Sequence, residues 1–264
     1  MMSSNTFLPL VLSSPGAIAF KIGSWPIRWY GIFIALGFLV VYFLAEHLVK
    51  KNNLDLNYFN DSLFIILIFS VVCARLYFVF LSWDYFQYHL DEIPKIWYGG
   101  QSIHGGILGA IAATVLYSKI KKFSFFYYMD ILAAVAPIGQ AIGRWGNFFN
   151  NEAFGKPTSN PVLRLHVPTE FRPEVFINNE YFHPTFFYES VLNLIIFIFL
   201  YKKYSLWKSK PGKTFWVYLL SYSTVRFFLE FIRVDSLYLF DHFASAHILS
   251  VAIIVISVIF LRKQ

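Results

Sequence analysis

The sequence predicts an all-α integral membrane protein with about seven transmembrane helices, N-terminus outside, C-terminus cytoplasmic and a small irregular outer head. Three observations predict it. Of 264 residues, 57% are hydrophobic and only 14% charged, with a mean hydropathy of +0.55, too apolar for a water-soluble chain of this length. The apolar residues form long unbroken runs, which suit helices, whereas barrel strands alternate and lipid leaves no partner for open backbone groups. Lysine falls almost wholly on alternate connections between the runs.

The N-terminal stretch 7-FLPLVLSSPGAIAF-20 is apolar, but no basic region precedes it and prolines interrupt it, so it reads as an extended outer segment. Seven apolar windows follow, at roughly 27–48, 61–82, 103–119, 126–142, 187–202, 213–232 and 243–261. The third and fourth are short for a full crossing. Lys50 and Lys51 separate the first two windows, Lys119, Lys121 and Lys122 the third and fourth, and Lys202, Lys203, Lys208, Lys210 and Lys213 the fifth and sixth; Arg262 and Lys263 follow the seventh. The other loops hold few cations, which makes the lysine-rich side cytoplasmic. Residues 1–264 read as a single membrane domain, with 150–183 as an outer head insertion marked by Pro157, Pro161, Pro168 and Pro173.

The net charge of +7 finds its partner in the anionic inner leaflet, so membrane lipid is expected and nucleic acid is not. A lone cysteine, Cys73, excludes an intrachain disulfide and argues against thiol catalysis by the chain itself. No span has the His, Asp or Glu spacing of a metal centre, and no metal or cofactor is expected. His47, His89, His166, His242 and His247 belong to no motif and read as structural or surface residues.

Charged groups inside spans cost about 2.5 to 3.5 kcal/mol each on insertion scales, and they pair or line polar cavities. Here they share one level. With the topology above, Arg28 and Tyr30 open the first span from outside, Arg75 lies in the outer part of the second and His104 opens the third. Arg144 and Asn147 close the fourth, Tyr188 and Glu189 open the fifth, and Arg226, Glu230 and Arg233 end the sixth. The spacing of those last three, i, i+4 and i+7, predicts one helical face over about 10 Å of rise. A structural reading stands beside each: Arg75 reaching the headgroups, an Arg–Glu pair locking helices, His104 beside a packing stripe of Gly105, Gly106 and Gly109.

The stretch 143-GRWGNFFNNEAFG-155, as G-R-x-G-N-F-x-N-x-E-x-x-G, resembles the signature of the prolipoprotein diacylglyceryl transferase family. Four further segments agree in order: 27-IRWYG-31, 99-GGQSIHGG-106, 183-HPTFFYES-190 and 222-YSTVRFFLEFIRVD-235. Around Arg75 the chain reads 70-SVVCARLYF-78, where the family tends toward glycine before the arginine, and the segment 156–182 follows no family pattern. The resemblance implies transfer of a diacylglyceryl group from phosphatidylglycerol to the lipobox cysteine of a prolipoprotein signal peptide, with release of glycerol phosphate. It also implies the bacterial cytoplasmic (inner) membrane, with the active site toward the outer face.

For that reaction the residues divide into two groups. His104 is the candidate base, alone or in a relay with Tyr30 or Glu230, because an imidazole with an ordinary pKa near 6.5 exchanges protons at neutral pH. Arg144 and Arg226 suit a leaving phosphate, since guanidinium holds two oxygens at once. Asn147, Asn150, Glu152, Gly155, Tyr188, Glu189, Arg75 and Tyr222 are candidates for binding substrate, and Arg233 for a gate or a headgroup contact. A transporter or flippase instead predicts polar residues at several depths and a repeat between halves; the sequence has neither.

Overall fold

The computed structural model describes residues 10–96, 99–122, 124–160, 162–235, 238–239 and 243–264. Pro161 and His242 lie outside them. The protein is mostly helical, and every apolar window coincides with a helix of 18 residues or more: α1 (Trp29–Lys51), α2 (Leu56–Leu81), α4 (Ile103–Lys121), α5 (Phe125–Phe149), α6 (Thr185–Trp207), α7 (Lys213–Glu230) and α8 (Ser245–Arg262), with a single turn, α3 (Trp83–Phe86), after α2. Among the described residues, five of these, α1, α2, α5, α6 and α8, are long and apolar enough to cross a membrane. Large apolar side chains such as Phe38 and Phe43 on α1, Phe64 and Phe80 on α2 and Leu249 on α8 are more than half exposed. Water does not tolerate such a surface; lipid does.

Two departures from the sequence reading concern where helices stop. The fourth window is not short, because α5 runs 25 residues, through Pro137, and carries the motif to Phe149 on its last turns. The sixth stops early: α7 ends at Glu230, so Arg233 is not the third member of a helical face. Arg233 instead lies in an antiparallel bridge opposite Gly155.

The chain forms two compact units, residues 1–45 with 129–264, and residues 46–128. In the smaller, α2 begins at an Asp55 cap whose carboxylate accepts from the Asn57 and Tyr58 backbone N–H groups at 2.8 and 3.3 Å. Glycines set how closely α4 approaches α2: a Cβ on Gly109 would stand 2.5 Å from the Phe69 carbonyl oxygen, and one on Gly105 would strike the Cys73 carbonyl. Any side chain there would force the helices apart.

In the larger unit, β2 (Ile18–Ile22) and β3 (Trp25–Arg28) form a hairpin that leads into α1. Gly37 on α1 faces Gly139 on α5, where an added Cβ would meet a backbone oxygen at 3.0 Å, and Gly146 leaves room for Tyr30. That close approach seats Tyr30 beside the last turns of α5. The insertion after α5 is more ordered than an irregular head: β4 (Leu163–His166) pairs in parallel with β1 (Leu10–Ser13) and antiparallel with β5 (Tyr181–Phe182). Phe154, Leu165, Val167 and Phe182 from this segment bury themselves against Phe148 of α5 and Phe186 of α6. One apolar core thus fixes the end of α5 to the start of α6. At the other end of the unit, Asp130 on α5 accepts from the backbone N–H groups of Gly212 and Phe215, both at 2.7 Å, and so caps α7.

Candidate active site

α5, α6 and α7 bring their charges together around Glu189, whose side chain is 1% exposed. Glu189 is held by Arg144 at 2.5 Å and faces Arg233 at 3.8 Å. Arg233 in turn grips Asp235 through Nε and Nη2 at 2.9 and 2.6 Å. On α7, Arg226 pairs with Glu230 at 2.6 Å, leaving Arg226 Nη1 buried without a hydrogen-bond partner among the described residues. Glu189 and Glu230, the two buried carboxylates, thus each have an arginine partner, which lowers the cost of burying them. Tyr222, one turn before Arg226, lines the same cavity as Arg144 and feels the fields of Arg144, Arg226 and Glu189.

Beside this cluster is a cavity of about 330 Å³, lined by Tyr30, Ile34, Gly139, Gln140, Gly143, Arg144, Asn147 and Tyr222. Its wall is mixed, with arginine, phenol and amide groups on one part and apolar groups on another. Arg144 Nη1 donates to Asn147 Oδ1 at 3.3 Å, and Asn147 and Asn150 both donate to Glu152 Oε1, at 2.8 and 3.2 Å. The turn that carries Glu152 reverses the chain through left-handed residues at Asn151 and Ala153, with φ of 54° and 57°. Thr185 Oγ1 at the start of α6 pins it by donating to the Ala153 carbonyl at 2.6 Å.

Gly155 is buried and does not line this cavity. A Cβ there would stand 2.8 Å from His183 Cβ and 2.9 Å from the Ile232 carbonyl oxygen, so glycine is what lets the chain cross and bridge to Arg233. Tyr188 turns its hydroxyl to His183 Nδ1 at 3.3 Å. Burial pushes the His183 imidazole below its ordinary pKa, which keeps it neutral at pH 7.

Arg75 and His104 belong to the smaller unit. Arg75 is buried, and four of its five N–H donors go to backbone carbonyls: Nε to Ile93, Nη1 to Gly99 and Gly100, Nη2 to Glu92, all at 2.7–2.8 Å. It braces a loop. His104 is exposed on the first turn of α4, its ring centroid 6.4 Å from that of Tyr77.

A sequence model of the family described as prolipoprotein diacylglyceryl transferase matches residues 17–262, nearly the whole chain. The chain belongs to that family. It is similar to the phosphatidylglycerol–prolipoprotein diacylglyceryl transferase of Staphylococcus epidermidis, 43% identical over 244 residues that cover 92% of this chain and 87% of that one. It is also similar to proteins of the same description from Acaryochloris marina, 44% identical over 236 residues (88% and 86% of the two chains), and Fervidobacterium nodosum, 43% over 238 (90% and 81%).

Sequence reading missed two residues of this family member's cavity region, Gln140 and Tyr218. Both sit inside runs that read as apolar. A signal was present: Gln140 precedes Arg144 by four residues on α5, and Tyr218 precedes Tyr222 by four on α7, so each lies on the same helical face as a residue that was singled out.

For Arg75, bracing predicts a stability effect. Arg75→Met leaves four backbone carbonyls without their donor, and thermal unfolding in detergent should show a midpoint about 5–10 °C lower. An unchanged midpoint would return Arg75 to the list of substrate contacts.

Proposed function

We propose that this chain transfers the diacylglyceryl group of phosphatidylglycerol to the lipobox cysteine thiol of prolipoproteins, forming a thioether and releasing glycerol phosphate, the first step of bacterial lipoprotein maturation. Family membership supports the reaction, and the observation that carries it to particular residues is the cavity beside Arg144. Arg144 lines it, and Arg226, one turn beyond the lining Tyr222, keeps an unpartnered buried N–H group. An anionic phosphate suits such a place.

In the reaction the cysteine sulfur bonds to the glyceryl carbon that bears the phosphate. The C–O bond to phosphate breaks and its electron pair leaves on the phosphate oxygen. Arg144 and Arg226 stabilise that growing charge, and Glu189 orients Arg144 through their ion pair. Asn147 and Asn150, already aligned by Glu152, are placed to hydrogen-bond the hydroxyls of the headgroup glycerol. Arg233 holds the outer side of the cluster. A free thiol has a pKa near 8.5 and is mostly protonated at neutral pH, so a base is required. His104 is our first assignment, with Tyr30 and Glu230 as alternatives. The seven long helices are taken as seven spans of the inner membrane, with the N-terminus and the site outside and the lysine-rich ends cytoplasmic.

The direct test is purified protein with labelled phosphatidylglycerol and a lipobox peptide. The peptide gains a diacylglyceryl mass, and a Cys→Ser peptide gains none; an unmodified peptide with folded protein and a free thiol removes the assignment. In the same assay Arg144→Lys and Arg226→Lys, which keep charge but lose the two-point fork, should each slow turnover at least tenfold in folded protein. Near-normal rates in both would leave these arginines a purely structural task.

His104→Gln separates a base from a packing residue. A base role predicts a loss of about 100-fold at pH 7, partly recovered toward pH 8.5 as the peptide thiol ionises unaided. Full activity of the folded variant at pH 7 would falsify it.

Topology is open to labelling in a Cys73→Ala background. A cysteine at the exposed Val175 should react with an impermeant reagent from outside, and one at the exposed Lys121 should not. The reverse pattern inverts the chain in the membrane.

A further inference from the structure

The cavity has a second polar level that the leaving phosphate does not require. Gln140 lines the cavity one turn of α5 before Arg144, and its Nε2 donates to the Tyr218 hydroxyl at 2.8 Å. Tyr218 stands one turn before Tyr222 on α7, the two rings stacked with centroids 6.1 Å apart. The pair Gln140–Tyr218 therefore repeats the pair Arg144–Tyr222 one turn lower, without the charge. Gln140 is left half used. Its Oε1 is buried without a partner, and one Nε2 hydrogen has no acceptor among the described residues. An amide in this state, with Ile34 and Gly139 as its apolar neighbours in the lining, is unfavourable until a ligand group completes it.

Depth identifies the ligand group. One helical turn rises about 5.4 Å, and with a phosphate at Arg144 the part of the lipid that lies that much closer to its tails is the esterified glyceryl backbone. Headgroup hydroxyls lie on the other side of the phosphate. Ester carbonyls accept hydrogen bonds and never donate, so the matching group is an amide N–H. The orphan Oε1 is itself an acceptor, so the ester is matched with the amide turned by 180°: Tyr218 then donates its hydroxyl hydrogen to Oε1, and the NH2 group faces the cavity. Resting on the transferase reading above, we propose that Gln140, positioned by Tyr218, reads an ester carbonyl of the diacylglyceryl group and makes the enzyme select ester-linked over ether-linked phosphatidylglycerol.

The experiment compares two phosphatidylglycerols of equal chain length, one with diacyl ester and one with dialkyl ether chains, as donors to one lipobox peptide, using the full-length protein. Wild-type protein should favour the diacyl lipid about three- to tenfold in kcat/KM, the worth of one neutral hydrogen bond. Gln140→Leu should bring the ratio to near one by slowing the diacyl donor and not the dialkyl donor, and Tyr218→Phe should move it part of the way. A loss of packing alone slows both donors by the same factor and keeps the wild-type ratio, which overturns the proposal, as does wild-type protein that uses both lipids equally. Should Gln140→Leu not fold, Gln140→Met provides the same ratio with a side chain of closer shape. Transfer from neither lipid by folded wild-type protein is a different failure: it overturns the transferase reading, and this proposal with it.

Discussion

Glu189 is the point on which the larger unit's polar architecture rests. A carboxylate almost wholly removed from solvent must be compensated, and here α5 supplies Arg144 on one side while the segment beyond α7 supplies Arg233 on the other. Three pieces of chain far apart in sequence are thereby held at one level. Arg144 cannot turn away without leaving the buried Glu189 to the more distant Arg233, which is how a long flexible side chain acquires a fixed direction at a cavity wall.

The apolar packing around the cluster supports the same arrangement from outside. Phe148 and Phe186, on the two helices that carry Arg144 and Glu189, meet in the core built by the segment after α5. Gly155 and Thr185 then hold that segment close enough for Arg233 to reach. The insertion after α5 is thus a mechanical part of the site: its strands bury the residues that keep α5 and α6 together.

Much of this was legible in the residues, and the reasons for what was not are physical. Helices are legible because lipid demands continuous apolar runs, and the charged residues of the cluster stand out against them. Helix ends are harder, because the polar turns that close a membrane helix no longer advertise a helix: α5 continues through Arg144 and Asn147, while α7 stops before Arg233 although the spacing suits another turn. Gln140 and Tyr218 were hidden by their uncharged side chains. Arg75 was visible as a charge in a span, but its partners are backbone carbonyls, which every residue possesses and no sequence pattern marks.

That last feature has an evolutionary side. Because Arg75 grips Glu92 and Ile93 by their carbonyl oxygens and not by their side chains, the loop it holds is free to change its residues while keeping its path. The freedom ends at Gly100, where φ is 75° and a Cβ would stand 2.5 Å from the Phe78 ring and 2.8 Å from Arg75 Nη1. Substitutions should therefore accumulate at 93 and be purged at 75, 99 and 100, where one arginine and two left-handed backbone positions set the path of the loop.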